Sequence, residues 1–245
     1  MRDFITCLEF LTRVRFSKRT DWRDEDFSRS VPYFPLVGLV IGAFLAAVNY
    51  GLFYIETPLF LRVTLLLLAE IIITGGLMYD GFMDTADGVF SARSRERMLE
   101  IMKDSHVGSN AVLAIIILVL LKIAAYLELD GATLTWVLLT MSVATRTFMV
   151  VFIVNFPYAR KEGIGHMFTK YAKPVYTYIA FAVCAAVIAA CGWQYLAVAG
   201  ICFAFTFMLA QYLKTQLGGL TGDTYGALTE CGNVIYLLTA VFLLR

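Results

Sequence analysis

Gly75-Gly76-Leu77-Met78-Tyr79-Asp80-Gly81-Phe82-Met83-Asp84-Thr85-Ala86-Asp87-Gly88 follows an apolar run, Leu65 to Ile73, that with its flanks is long enough to cross a membrane. Three carboxylates then arrive at spacings of four and three. In a helix, Asp80, Asp84 and Asp87 share one face, one turn apart. Like charges so crowded repel each other unless a cation sits between them. Acidic groups beside hydrocarbon are costly and mark a functional site by default. The donors are hard oxygens with no His or Cys among them, so the expected ion is Mg2+. The plain alternative is a solvated loop; the bracketing by Gly81 and Gly88 at a membrane edge weighs against it.

The rest of the chain agrees with a membrane setting. It has 245 residues, 60% of them hydrophobic and 16% charged, against about 45–50% and about 25% in soluble domains. Its mean hydropathy is +0.74. The expected fold is an all-α integral membrane protein: about seven transmembrane helices, an N-terminal amphipathic interfacial helix and a short interfacial helix after the aspartate stretch. One polytopic domain is expected over residues 1–245, with 1–30 a charged cytoplasmic segment and 31–245 a catalytic bundle. The net charge of +1 says nothing about nucleic acid, but no basic stripe would track a phosphate backbone, so no nucleic-acid partner is expected. Cys7, Cys184, Cys191, Cys202 and Cys231 follow no metal or redox spacing and are expected to pack as apolar residues. Asp3 and Glu9 interrupt the N-terminus, so it does not read as a cleavable signal.

Crossings are expected at roughly 33–54, 58–77, 108–127, 134–154, 175–190, 195–213 and 228–244, each near the ~20 residues that span a bilayer. Met1 to Phe16 alternates apolar and charged residues at helical spacing and reads as amphipathic. Gly38-x-x-x-Gly42 would let a neighbouring helix approach closely. Lys and Arg fill every second connection: Arg2 to Arg29, then Arg93 to Lys103, then Arg160 to Lys173, with Lys214 after the sixth crossing. That alternation puts the N-terminus and every polar motif on the cytoplasmic side.

Several constellations on that side could carry chemistry. Lys103 and Asp104 stand just before the third crossing, a cation for phosphate beside a metal ligand or base. Ser105 reads equally well as a helix cap, and His106 as a wet loop histidine. Arg146 lies near the middle of an apolar run and is expected to face the interior, toward a carboxylate or phosphate. Lys122 reads as snorkelling or interior, and Glu70 with Arg62 as an ambiguous pair. Arg160 sits in a basic, flexible loop that would clamp an anion or simply mark the inside. Gly219, Thr221 and Gly222 form a glycine loop whose backbone N–H groups could meet phosphate oxygens, and Asp223 adds a further carboxylate. Metal-ligating carboxylates, cations and glycine loops, without a Ser/His/Asp or Cys nucleophile, fit phosphoryl or nucleotidyl transfer.

The chain resembles the cobalamin synthase family (adenosylcobinamide-GDP ribazoletransferases). The likeness runs through Phe10-Leu11-Thr12-Arg13, Tyr33-Phe34-Pro35-Leu36-Val37-Gly38, Thr74-Gly75-Gly76, Asp80 to Gly88, Ile101-Met102-Lys103-Asp104-Ser105, Pro157-Tyr158-Ala159-Arg160 and Gly218 to Ala227. It departs at His106, where the family carries Arg, and at Ala111, where it carries a second Gly. The resemblance implies a magnesium-dependent enzyme of the bacterial inner membrane. A hydroxyl of α-ribazole, or of its 5′-phosphate, would attack the cobinamide-side phosphorus of adenosylcobinamide-GDP and release GMP. On that reading Asp80, Asp84 and Asp87 hold metal, and Asp104 or Asp223 serves as base with Lys103 assisting. Ser105, Arg146, Arg160, Gly219, Thr221 and Gly222 would bind substrate or phosphate. A CDP-alcohol-type phosphotransferase and an ion-coupled transporter are the competing readings. The oligomeric state is open, a homo-oligomer being one outcome.

Overall fold

The computed structural model describes residues 2–16 and 23–244. Lys18 and Arg19, two of the charges behind the expected orientation, lie outside the described residues with the rest of 17–22. Among the described residues the chain is helical and forms no named strand. In chain order the helices are α1 (Arg2–Leu11), α2 (Asp24–Ser30), α3 (Phe34–Tyr54), α4 (Leu59–Thr74), α5 (Leu77–Phe90) and α6 (Arg95–Ile101). They continue as α7 (Ser109–Glu128), α8 (Gly131–Asn155), α9 (Ile164–Lys170), α10 (Val175–Cys191), α11 (Trp193–Leu217) and α12 (Gly222–Leu244).

Five stretches are long and apolar enough to cross a membrane alone: Asp24–Tyr54 and helices α7, α8, α11 and α12. Two bent pairs, α4 with α5 at 93° and α9 with α10 at 100°, bring the total to as many as seven if each pair counts as one span. This is a multi-pass membrane protein. The first bend has a local cause. Gly75 and Gly76 take φ of 66° and 71°, a left-handed conformation that other residues adopt only at a cost. The expected second crossing therefore stops at Thr74, and the aspartate stretch forms a separate helix. The seventh crossing begins earlier than expected, because the Gly222-Asp223 motif is the first turn of α12 and not a loop.

α8 is the buried centre of the bundle, and α3 runs antiparallel along it. Gly38 and Gly42 make this crossing close: a Cβ at the first would strike the Ser142 carbonyl, and one at the second would lie 2.8 Å from the Leu139 Cα. At the far end Asn49 Nδ2 donates to the Gly131 carbonyl (2.9 Å) and to Thr135 Oγ1 (2.8 Å). Asp130 starts α8 by accepting the N–H groups of Ala132 and Thr133. The apolar face of α1, Cys7, Leu8 and Leu11, is buried in the same core. A leucine in place of Gly38 meets backbone that cannot give way. It is expected to lower the thermal midpoint of the detergent-purified protein by an equivalent of about 1–3 kcal/mol; an unchanged midpoint would contradict this crossing.

Candidate active site

α5 carries Asp80, Asp84 and Asp87 on one side, as the spacing requires. Asp80 is exposed, Asp84 half-buried and Asp87 buried. Two glycines bring α12 against them: a Cβ on Gly81 would meet the Asp223 backbone oxygen at 2.7 Å, and one on Gly226 the Met78 carbonyl at 3.0 Å. Without that approach Asp223 would stand away from the aspartate face.

Asp87 has a structural partner that local reading could not find. Its Oδ2 accepts the Gly108 N–H (2.6 Å) and its Oδ1 the Ala111 N–H (2.9 Å). It caps α7 from another helix, satisfying two of the N–H groups that a helix start leaves free. Ser105, read as the possible cap, stands exposed in the preceding loop. Lys103 is exposed beside it. Asp104 Oδ1 accepts the His106 backbone N–H (3.0 Å) and lies 2.6 Å from His106 Nδ1. These two contacts hold the Asp104 carboxyl below its ordinary range, and the same carboxylate raises the His106 imidazole. His106 is a solvent-exposed loop histidine, as expected, but it has a partner.

Asp223 is held through its Oδ2, which lies 2.7 Å from Arg160 Nη2 and also accepts from Thr221 Oγ1 at 3.4 Å. Thr221 and Thr224 form a reciprocal cap below it: Thr221 N–H donates to Thr224 Oγ1 (2.7 Å), and Thr224 N–H to Thr221 Oγ1 (3.2 Å). Both threonines are fully buried, so this cap is what carries α12 back through the glycine motif. Gly219 is buried against the Pro157–Ala159 backbone, where Ala159 N–H donates to the Leu220 carbonyl (2.7 Å) and Leu220 N–H to the Pro157 carbonyl (2.8 Å). That clasp brings Arg160 to Asp223. Tyr158 lies in the same loop, and burial raises its hydroxyl pKa. Gly222 is exposed on the first turn of α12.

Arg146 sits elsewhere. It is 2% exposed, inside the bundle, with Nη1 donating to Thr145 Oγ1 at 3.1 Å. It belongs to a buried network whose hub is Lys122. Lys122 Nζ donates to both Glu70 oxygens (2.9 and 3.0 Å), to Tyr79 Oη (2.8 Å) and to Glu230 Oε2 (2.6 Å). Glu70 thus pairs with Lys122 and not with Arg62, whose guanidinium lies 5.4 Å from the Phe53 ring centre. Tyr79 precedes Asp80, so the network anchors the first turn of α5.

Three cavities meet at Asp80. The largest, about 730 Å³, lies under α1 and includes Arg13, Arg15, Thr74, Gly75 and Gly76. A second, about 250 Å³, is walled by Phe34, Tyr158, Phe168 and Tyr225 and reaches Arg160 and Asp223. The third, about 270 Å³, joins the three aspartates to Lys103, Asp104, Ser105 and His106. Most sequence-selected groups are therefore on one continuous surface; Arg146, Gly219 and Thr221 are not on these walls. Arg13 and Arg15 line the largest of these cavities but are not among the groups selected from the sequence. Arg13 stands in the Phe10-Leu11-Thr12-Arg13 motif, and both also read as inside-facing positive charge.

The electrostatics of this surface are lopsided. Asp84 feels the charges of Asp80, Asp223 and Asp87, opposed by Arg160, which is itself paired with Asp223. Among the described residues, neither Asp80 nor Asp84 has a hydrogen-bonding or ion-pair partner for its carboxylate. No three His, Cys, Asp or Glu side chains among the described residues stand together as a complete ion cage. Mg2+ does not need one: it binds through one or two carboxylates, with substrate phosphates and water completing the shell. The unpartnered Asp80 and Asp84 fit that demand.

The sequence profile of cobalamin-5-phosphate synthases matches residues 3–241. An adenosylcobinamide-GDP ribazoletransferase of Clostridium novyi (strain NT) is 36% identical over 97% of this chain and 96% of its own. Another, from Desulforamulus reducens, is 42% identical over 91% of this chain and 89% of its own. A third, from Desulfitobacterium hafniense (strain Y51), is 36% identical over 100% and 98%. No solved structure matches the chain. With an acidic, one-sided surface in a multi-pass bundle and a likeness that spans almost every residue, the chain belongs to the cobalamin-5-phosphate synthase family.

Proposed function

We propose that this protein joins adenosylcobinamide-GDP to α-ribazole, or to its 5′-phosphate, and releases GMP. The observation that carries the reading is the pair of unpartnered carboxylates: Asp80, on which three cavities open, and Asp84, on the wall of one of them. Asp80, Asp84 and Asp87 are the residues that would hold Mg2+, with Asp87 offering the lone pairs its two N–H contacts leave free. A bound Mg2+ would neutralise a diphosphate and lower the pKa of an attacking hydroxyl. Asp223 stands on the wall of the aromatic cavity and would take the proton from the attacking ribose hydroxyl. The oxygen then bonds to the cobinamide-side phosphorus, the bond to the bridging oxygen breaks, and GMP leaves with that oxygen. Arg160, held at Asp223, faces the charge that develops; Lys103 and Ser105 offer donors to phosphate oxygens from the opposite side. Gly219, Thr221 and Gly222 set the start of α12, and with it the place of Asp223. Arg146 steadies the bundle below through the Lys122 network, short of direct phosphate contact.

The family likeness supports a bacterial inner-membrane location, and the Lys and Arg distribution supports a cytoplasmic N-terminus and cytoplasmic loops. The test is GMP release by the purified protein in liposomes containing both substrates. Release that requires Mg2+ and stops with EDTA is expected. Substrate-dependent release at full rate in EDTA would defeat the metal assignment, and no release under any condition would defeat the activity.

A further inference from the structure

The cavity under α1 is unused by the chemistry above, and its lining is unusual for a membrane bundle. Arg13 and Arg15 both line it, and among the described residues neither guanidinium is paired with a carboxylate. Arg13 reaches only the Gly75 carbonyl, at 3.5 Å, and Arg15 the Glu9 carbonyl, at 2.8 Å. Each keeps most of its donors free in the fork geometry that suits phosphate. Phe10 and Phe27 supply an aromatic wall, edge to face with centres 6.1 Å apart. Asp80 also lines it.

Size separates this cavity from its neighbours. At about 730 Å³ it falls within the ~300–1,000 Å³ of typical ligand sites. The other two, at about 250 and 270 Å³, are smaller than that. Of the three spaces that open on Asp80, only this one combines room for a nucleotide with unpaired cations and flat apolar walls.

We propose that this cavity binds the leaving nucleoside monophosphate, with Arg13 and Arg15 on its phosphate and the base against Phe10 and Phe27. The assignment rests on the transferase reading given above. It places the departing nucleotide under α1 and the reacting phosphorus at Asp80 and Asp84. The breaking bond would then point toward α1, and product would leave by that side.

Equilibrium dialysis of labelled GMP against the full-length purified protein tests the proposal directly, without turnover. Wild type is expected to bind GMP, and Arg13→Gln to bind it about tenfold more weakly, with Arg15→Gln showing a loss in the same direction. Arg13 also lies over the end of α4, so Arg15→Gln and the thermal midpoint of each variant guard against misfolding. In steady-state assays the KM for the GDP-bearing donor should rise while the KM for the acceptor stays unchanged. Wild-type protein that turns over but binds GMP no better than the two variants would overturn the proposal. A rise in the acceptor KM alone would also overturn it, by giving the cavity to the other substrate. Wild-type protein that binds GMP through Arg13 but never releases it from the donor would count against the transferase reading and leave the nucleotide site standing.

Discussion

Asp84→Asn is expected to lower kcat by about 100-fold or more while leaving the protein folded. Changing residues merely behind a metal's ligands typically costs 10- to 100-fold, and a ligand itself should cost at least as much. The exchange keeps the shape of the side chain and removes its charge. Asp84 has no hydrogen-bond or ion-pair partner among the described residues, so no structural contact is lost. Removing one of several crowded negative charges should, if anything, relax the fold. Activity and stability should therefore move apart, and raising Mg2+ should recover part of the rate. Asp87→Asn is the contrasting case. An amide offers only one acceptor where the Gly108 and Ala111 N–H groups need two, so both rate and thermal midpoint should fall. Steady-state GMP release and thermal unfolding of the two variants, run side by side, check the pair of outcomes. Equal stability losses in both would contradict the different roles.

Lys122→Met is expected to be the most damaging single change to stability. Lys122 is wholly buried and is the shared partner of Glu70, Glu230 and Tyr79. Methionine fills similar space but leaves two buried carboxylates facing each other, with Arg146 as the remaining cation of the network. Breaking a buried ion pair from one side typically costs about 3–5 kcal/mol. The detergent-purified variant should unfold at a clearly lower temperature, and the inserted fraction in cells should drop. Adding Glu230→Gln to Lys122→Met removes one orphaned charge and should restore part of the loss. A double variant no more stable than Lys122→Met alone would contradict the charge-balance account. The network joins α4, α5, α7 and α12, so its failure also loosens the turn that carries Asp80.

How far the fold was legible follows from the range of the interactions. Helical crossings are local: an apolar run of sufficient length and its Gly or Pro ends are visible in sequence, and α3, α7, α8 and α11 stand close to where they were expected. The shared face of the three aspartates is also local, since it depends only on a helical period. Gly75-Gly76 was legible as an interruption, but not as a turn of 93°, because the angle depends on what α5 packs against. Pairings across long separations were hidden. Glu70 has Arg62 eight residues away, yet its partner Lys122 is 52 residues on. Asp87 looked like a third identical carboxylate until α7 placed its first N–H groups on it. The Thr221 and Thr224 cap was written locally, but its glycines drew the reading toward a loop. Arg13 and Arg15 read as positive-inside charge, because nothing in their own neighbourhood reveals the cavity that α1 roofs over.

The most direct test of the central claim is the binding of Mn2+, as a spectroscopic substitute for Mg2+, to the purified protein followed by electron paramagnetic resonance. Wild type is expected to take up the ion at a site that Mg2+ competes for, and an Asp80→Asn, Asp84→Asn double variant is expected to lose it. Equal uptake by wild type and the double variant would contradict a cation held by the α5 carboxylates.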